Sequence, residues 1–225
     1  PDLGLIVIDE QHRFGVADRL RLTAKGEAPH MLVMSATPIP RTLAMSVHGD
    51  MEVSILDEKP AGRQEVITAV ASDGRLEEVM DAVARAAARG ESAFWICPTV
   101  DAGDELEDSS AVARRAALAE AVTGEVELVH GRMPANERDA ALERFRSGQA
   151  RVLVATTVVE VGVDVPDATI IVIERCERFG LAQLHQLRGR VGRSDKPSSC
   201  LLLYRPPLTE AGRERLDILR RTSDG

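Results

Sequence analysis

Two carboxylates, Asp9 and Glu10, follow directly on the apolar run Leu5-Ile6-Val7-Ile8. Four apolar residues in a row, three of them β-branched, predict a strand buried on both faces, as in a parallel sheet. Parallel sheets handle ligands at the carboxyl ends of their strands. Adjacent acids there suit phosphate chemistry: one holds Mg2+, directly or through water, and the other polarises an attacking water. An acidic N-cap opening the next helix is the plainer alternative. Near the other end of the chain, Arg190 and Arg193 stand three apart, with Gly189 and Gly192 beside them. Glycines let a backbone turn sharply or approach closely. Arginines on such a segment can reach a triphosphate as fingers that stabilise charge in the transition state. The competing reading is a solvated basic face or a plain phosphate-backbone contact.

These groups need a scaffold, and strands alternating with helices supply one. Residues 30–35 (HMLVMS) form a second short apolar run. Ser35-Ala36-Thr37-Pro38-Ile39-Pro40 follows, and its prolines cannot donate to a sheet ladder, so the chain must leave the sheet there. Residues 41–47 have helical character, and 53–56 read as a strand. The polar, Pro- and Gly-containing stretch 57–62 (DEKPAG) is the predicted boundary. Strands are then expected over 66–70, 92–97, 126–129, 152–155, 170–173 and 199–204. Helices are expected over 73–89, 111–122, 134–147, 181–187 and 209–221. The helix over 73–89 carries Leu76, Val79, Met80 and Val83 on one stripe. That over 134–147 carries Arg138, Ala141, Leu142 and Phe145, with Gly148 as its stop. Such alternation implies βαβ units and a parallel sheet. The predicted fold class is α/β, with tandem RecA-like parallel-sheet domains of which the first is truncated. The expected divisions are 1–60, 61–208 and a helical coupling region over 209–225.

With 225 residues and 44% apolar content, the chain can bury a core. No stretch reaches the roughly 20 apolar residues of a membrane span, and there is no signal-peptide pattern. Cys97, Cys176 and Cys200 form no Cys-x-x-Cys pair, which argues against a zinc site or disulfide framework and fits a reducing cytosol. The net charge of −8 taken whole speaks against nucleic acid. The charge is uneven, however. Residues 101–127 hold eight acids and two arginines, whereas 175–196 hold six basic residues and two acids, so a local basic face is compatible with the total.

Four stretches lie in order along the chain: Asp9-Glu10-Gln11-His12, Ser35-Ala36-Thr37, Thr156-Thr157 with Glu160-Val161-Gly162-Val163-Asp164-Val165-Pro166, and Gln186-Leu187-Arg188-Gly189-Arg190-Val191-Gly192-Arg193. Together they resemble the motifs of superfamily-2 helicases. Continuing Asp9-Glu10-Gln11-His12 through Arg13-Phe14-Gly15-Val16, Ser35-Ala36-Thr37 through Pro38-Ile39-Pro40-Arg41-Thr42-Leu43-Ala44, and reading 177–193 whole, the sequence is most similar to the RecG family of bacterial branched-DNA helicases. Transcription-repair coupling factors share most of this but typically read Asp-Glu-Glu-Gln at the first motif, where this chain has Gln11-His12. The resemblance covers nearly the whole chain.

The resemblance implies an ATP-dependent DNA helicase or translocase that remodels stalled forks and recombination junctions in the bacterial cytosol, associated with the nucleoid. It implies ATP and Mg2+ as cofactors. The implied partner is branched or forked DNA, with single-stranded-DNA-binding protein as a further one, and the implied state is a monomer. Asp9 would bind Mg2+, and Glu10 would activate water. Gln11, His12, Ser35, Thr37 and Gln186 would couple nucleotide to movement. Gly162 and Asp164 would meet the nucleotide, and Arg190 and Arg193 would be the fingers across the cleft. Arg41, His130, Gly131, Arg132, Thr156 and Thr157 would contact DNA, hydroxyls and exposed amides being suited to phosphate oxygens. Trp95, the single tryptophan, is read as core.

One departure has consequences. The Gly-x-x-x-x-Gly-Lys-Ser/Thr loop occurs nowhere in the 225 residues, and in the family it lies upstream of the first motif. Without that loop the β- and γ-phosphates lose their backbone-amide cradle. The expectation is that this piece alone neither hydrolyses ATP nor unwinds DNA. Its first 60 residues, lacking a neighbouring strand, should expose apolar surface and be the less stable part. A non-catalytic nucleic-acid-binding module is the alternative from another class.

Overall fold

A computed structural model describes residues 3–9, 21–26, 29–35, 52–56, 64–98, 106–156, 165 and 167–222. The chain divides into two units, Pro1–Glu58 and Lys59–Gly225.

In the first unit, strands β1 (Leu5–Ile8) and β2 (His30–Val33) pair in parallel, with Leu5 opposite His30 and Ile8 opposite Val33. The ladder extends at both ends: His30 donates its N–H to the Gly4 carbonyl at 3.0 Å, and Met34 donates to that of Ile8 at 2.8 Å. The expectation that β1 is buried on both faces is corrected. Ile6 and Ile8 are buried, but Leu5 is 57% and Val7 53% exposed. Side chains alternate across a strand, so one face of this two-stranded sheet packs and the other stays open. The strand expected over 53–56 is also not formed, and Leu56 is 96% exposed. β-Branched residues favour a strand only where a neighbour completes the ladder, and none does so here among the described residues.

The second unit is a six-stranded, all-parallel sheet in the order β3-β8-β7-β4-β6-β5. Its strands are β3 (Val66–Ser72), β4 (Ser92–Cys97), β5 (Glu125–Val129), β6 (Ala150–Thr156), β7 (Ala168–Ile173) and β8 (Ser198–Tyr204). The connecting helices are α1 (Leu76–Ala88), α2 (Leu106–Ala121), α3 (Ala135–Arg146) and α4 (Leu181–Arg188), with α5 (Glu210–Arg221) after the last strand. Central β4 is buried at every residue, while edge strand β5 buries only Val126 and Val129. This is the pattern expected of a sheet covered on both faces.

Strand order dictates which helix covers which face. Passing β3 to β4 to β5 moves one way along the sheet, and β5 through β8 returns. Right-handed crossovers therefore place α1 and α2 on one face and α3 and α4 on the other. The two apolar cores divide accordingly. Trp95 and Cys97 of β4 pack with Val79 and Val83 of α1 and Leu118 of α2. Phe94 and Ile96 pack on the opposite side with Phe145 of α3, Leu184 and Leu187 of α4, and Leu216 and Leu219 of α5. The Phe94 and Phe145 rings meet edge to face at 5.0 Å. Helix α3 ends as its sequence indicates, Gly148 taking a φ of +74° just past the last turn.

Candidate functional site

Asp9 and Ser35 follow the ends of β1 and β2, so the parallel pairing delivers both to one edge of the first unit, and both side chains are exposed. Glu10, Gln11, His12, Thr37 and Arg41 lie outside the described residues, as does the helix expected over 41–47. Among the described residues no three His, Cys, Asp or Glu side chains gather as a metal-binding group.

In the second unit the carboxyl edge of the sheet carries two of the predicted stretches. The β5–β6 register sets Val129 opposite Ala155, and β4–β6 sets Cys97 opposite Thr156. His130 and Thr156 thus continue neighbouring strands at the same level. His130-Gly131-Arg132 forms a tight turn, closed by the Met133 N–H donating to the His130 carbonyl at 3.1 Å, before α3 begins. Arg132 and Gly131 are exposed, His130 half-buried, and Thr156 only 3% exposed. A bidentate pair ties the last turn of α3 back onto β5: Arg144 of α3 donates Nε and Nη2 to the Glu127 carboxylate of β5, at 2.5 and 3.0 Å. Thr157, Gly162 and Asp164 lie outside the described residues.

Sequence reasoning missed the group at the end of β7. Glu174 accepts from the indole Nε1 of Trp95 at 2.5 Å and from Nε and Nη2 of Arg114 at 2.5 and 3.3 Å. The Arg114 guanidinium lies 5.6 Å from the Trp95 ring centre. Trp95, read as core, is fully buried, but its polar handle is engaged as well. The signal was available: Glu174 follows the apolar run of β7 just as Asp9 follows that of β1. The next residue, Arg175, takes a φ of +50°. Its neighbour Glu177 is tied down by the Arg205 N–H at 3.2 Å and by the Arg175 Nε at 3.3 Å.

The arginine-glycine run stands at the opposite end of the sheet. Helix α4 carries the chain back from the end of β7 towards the start of β8, burying Leu184 and Leu187 and leaving Gln186 half-buried. Arg190 N–H donates to the Leu187 carbonyl at 3.0 Å, and Arg193 Nε to that of Gly189 at 3.3 Å. Val191 between them is fully buried, Arg190 half-buried and Arg193 exposed. Gly192 lies against Val66 and Ser198, the first residues of β3 and β8. The predicted fingers and the predicted DNA contacts of this unit therefore occupy opposite edges of one sheet. Arg188, inside the same run, is turned inward: its Nη1 donates to the carbonyls of Leu219 and Thr222.

Residues 74–195, more than half the chain, match the helicase conserved C-terminal domain. The chain belongs to that family. The helicase domain and its flanks are 53% identical over 224 residues to the ATP-dependent DNA helicase RecG of Acidithiobacillus ferridurans, covering 99% of this chain and 33% of that protein. Against RecG of Escherichia coli strain K12 the identity is 48% over 232 residues, with the same 99% and 33% coverage. The structure of RecG bound to a three-way DNA junction superposes with a TM-score of 0.79 at 43% identity, over 99% of this chain and 28% of that one. Saccharomyces cerevisiae Dbp5 bound to RNA and ADP BeF3 matches at 0.69 and 16% identity, over 97% and 56%, a likeness of fold alone. These agree with the RecA-like α/β architecture expected of the helicase domain. The chain spans about a third of the length of the RecG relatives. No helix among the described residues is long and apolar enough to cross a membrane.

Proposed function

We propose that this chain is the motor part of an ATP-dependent DNA helicase or translocase that remodels branched DNA, such as stalled forks and recombination junctions, in repair and recombination. The observation that carries this is 45–53% identity to RecG proteins across nearly every residue of the chain. The whole enzyme works in the bacterial cytoplasm on the nucleoid, as a monomer, with single-stranded-DNA-binding protein as a further partner. Residues 1–60 are the end of the ATP-binding lobe, 61–208 the second lobe, and 209–225 the start of a coupling region.

Each site residue takes one role. Asp9 carries hard carboxylate oxygen at a strand end, which fits Mg2+, an ion that uses one or two carboxylates and keeps its waters. Mg2+ when bound neutralises charge on the phosphates. Glu10 takes the proton of the attacking water, and Gly162 and Asp164 hold the nucleotide. Arg190 and Arg193 stabilise charge on the transferring phosphoryl group. Arg132, with His130, Gly131, Thr157 and Arg41, contacts DNA phosphates. Thr156, being buried, supports the strand end beneath them. Gln11, His12, Ser35, Thr37 and Gln186 couple hydrolysis to movement.

The test compares the 225-residue chain with the longer helicase carrying the upstream Gly-x-x-x-x-Gly-Lys-Ser/Thr loop. The longer protein should hydrolyse ATP faster on a three-way junction than on duplex, and lose about 10³-fold in kcat on Arg190→Ala. The 225-residue chain should hydrolyse none. Full hydrolysis after Arg190→Ala, or no preference for a junction, would sink the reading.

A further inference from the structure

Gly192 has the left-handed φ of +73°. A Cβ placed on it would lie 2.5 Å from Val66 Cγ2, 3.8 Å from Ser198 Cβ and 3.9 Å from the Gln64 carbonyl oxygen. Two separate demands thus meet at one residue. The backbone conformation disfavours any L side chain, and the space is already filled by Val66. Val66 is a short, β-branched residue at the head of an edge strand, so its methyl cannot swing far aside. It packs against the same core that buries Val191 completely.

The run Arg190-Val191-Gly192-Arg193 is accordingly pinned twice between its two arginines. Val191 is anchored inward in the core, and Gly192 rests on the Val66 methyl. A backbone shift in this stretch moves the points from which both arginine side chains start. Val66 opens the first strand after the division between the two units, only a few residues beyond Lys59. Its position is set by the β3–β8 ladder, where it pairs with Ser198.

We propose that Val66 is a positioning residue for Arg190 and Arg193. Its contact with Gly192 sets where the two arginines stand. This rests on the reading of those arginines as fingers. An error of about 1 Å in a catalytic group costs about 10²-fold in rate, so a backbone displaced between the two arginines by a side chain at Gly192 is expected to reach turnover.

The experiment uses the longer helicase with saturating junction DNA and measures kcat, the KM for ATP and thermal unfolding. Gly192→Ala should lower kcat about 10²-fold with little change in KM, the mark of a group that acts in the transition state. Adding Val66→Ala removes the colliding methyl and should restore kcat about tenfold. The double variant should not regain the melting temperature, because the left-handed backbone penalty persists and a packed methyl has been lost. Activity then recovers without stability, which a purely structural contact would not produce. If Gly192→Ala does not fold, Val66→Ile presses on the same contact with the glycine intact, and should lower kcat at an unchanged melting temperature. A double variant as slow as Gly192→Ala, or a fully active Val66→Ile, overturns the inference while the fingers stand. Unchanged kcat in Arg190→Ala overturns both.

Discussion

Arg188 and Leu219 are joined by a buried hydrogen bond: Arg188 Nη1 donates to the Leu219 carbonyl at 2.7 Å, and also to that of Thr222 at 2.7 Å. The last carbonyls of a helix lack intrahelical donors, and here an arginine from the run before Gly189 supplies one. Leu219 is 1% exposed, so water cannot replace that donor. Arg188→Ala should therefore cost about 2–4 kcal/mol. Arg188→Lys should recover only part of this, a single ammonium lacking the planar fork. Urea unfolding of the 225-residue chain, followed by Trp95 emission, measures both. An Arg188→Ala midpoint equal to wild type would refute the role.

The Arg114–Glu174 pair, with side chains 17% and 18% exposed, ties α2 to the end of β7 and holds the buried indole of Trp95. Removing Glu174 leaves a largely desolvated guanidinium and an indole N–H without acceptor. Glu174→Ala should cost about 3 kcal/mol and shift Trp95 emission. A double-mutant cycle with Arg114→Ala should return a coupling of about 1–3 kcal/mol. Strictly additive effects would mean the pair contributes nothing of its own.

The parallel sheet of the second unit was legible because burial on both faces leaves short continuous apolar runs such as Ala93-Phe94-Trp95-Ile96, and these alternate with longer stretches of helical periodicity. The same rule failed at Leu5-Ile6-Val7-Ile8, since a run cannot report whether partners exist to cover both sides. It failed again at 53–56, where strand-forming residues have no described neighbour to pair with. The inward turn of Arg188 was hidden for a related reason. A string of arginines and glycines does not reveal which guanidinium meets carbonyls of a helix some 30 residues later. Glu174 was readable and overlooked, having the same apolar-run-then-carboxylate pattern that drew attention to Asp9.

Alkaline pH should destabilise the chain through its thiols. Burial pushes Cys176 and Cys200 up to about 12 from an ordinary value near 9, and pushes Cys97 higher still. The folded pKa exceeds the unfolded one, so the folded state keeps protons that the unfolded chain releases. The stabilisation is complete below pH 9 and is lost as pH rises from there towards 12, at up to about 1.4 kcal/mol per pH unit for each thiol. Unfolding midpoints measured from pH 8 to 10.5 should fall accordingly, and Cys176→Ser/Cys200→Ser should flatten the fall. At pH 8 a thiol-reactive dye should label none of the three cysteines until urea is added. Rapid labelling of the native chain would contradict their burial.

If Arg132 meets a phosphate, its loss should be felt equally on every sequence. The side chain is exposed at the tip of the turn between β5 and α3, two elements that the Arg144–Glu127 pair ties together. Phosphate contacts position a protein without reading bases, and each one releases about one counterion. Arg132→Ala in the longer helicase should thus weaken junction binding by about 1 kcal/mol and reduce the slope of log K against log salt by about one. It should leave kcat at saturating DNA within about twofold, because the turn lies at the opposite sheet edge from Arg190. Arg144→Ala, which unties α3 from β5 without removing a charge from the turn, should leave the salt slope unchanged. A salt slope identical to wild type in Arg132→Ala would remove this residue from the DNA interface.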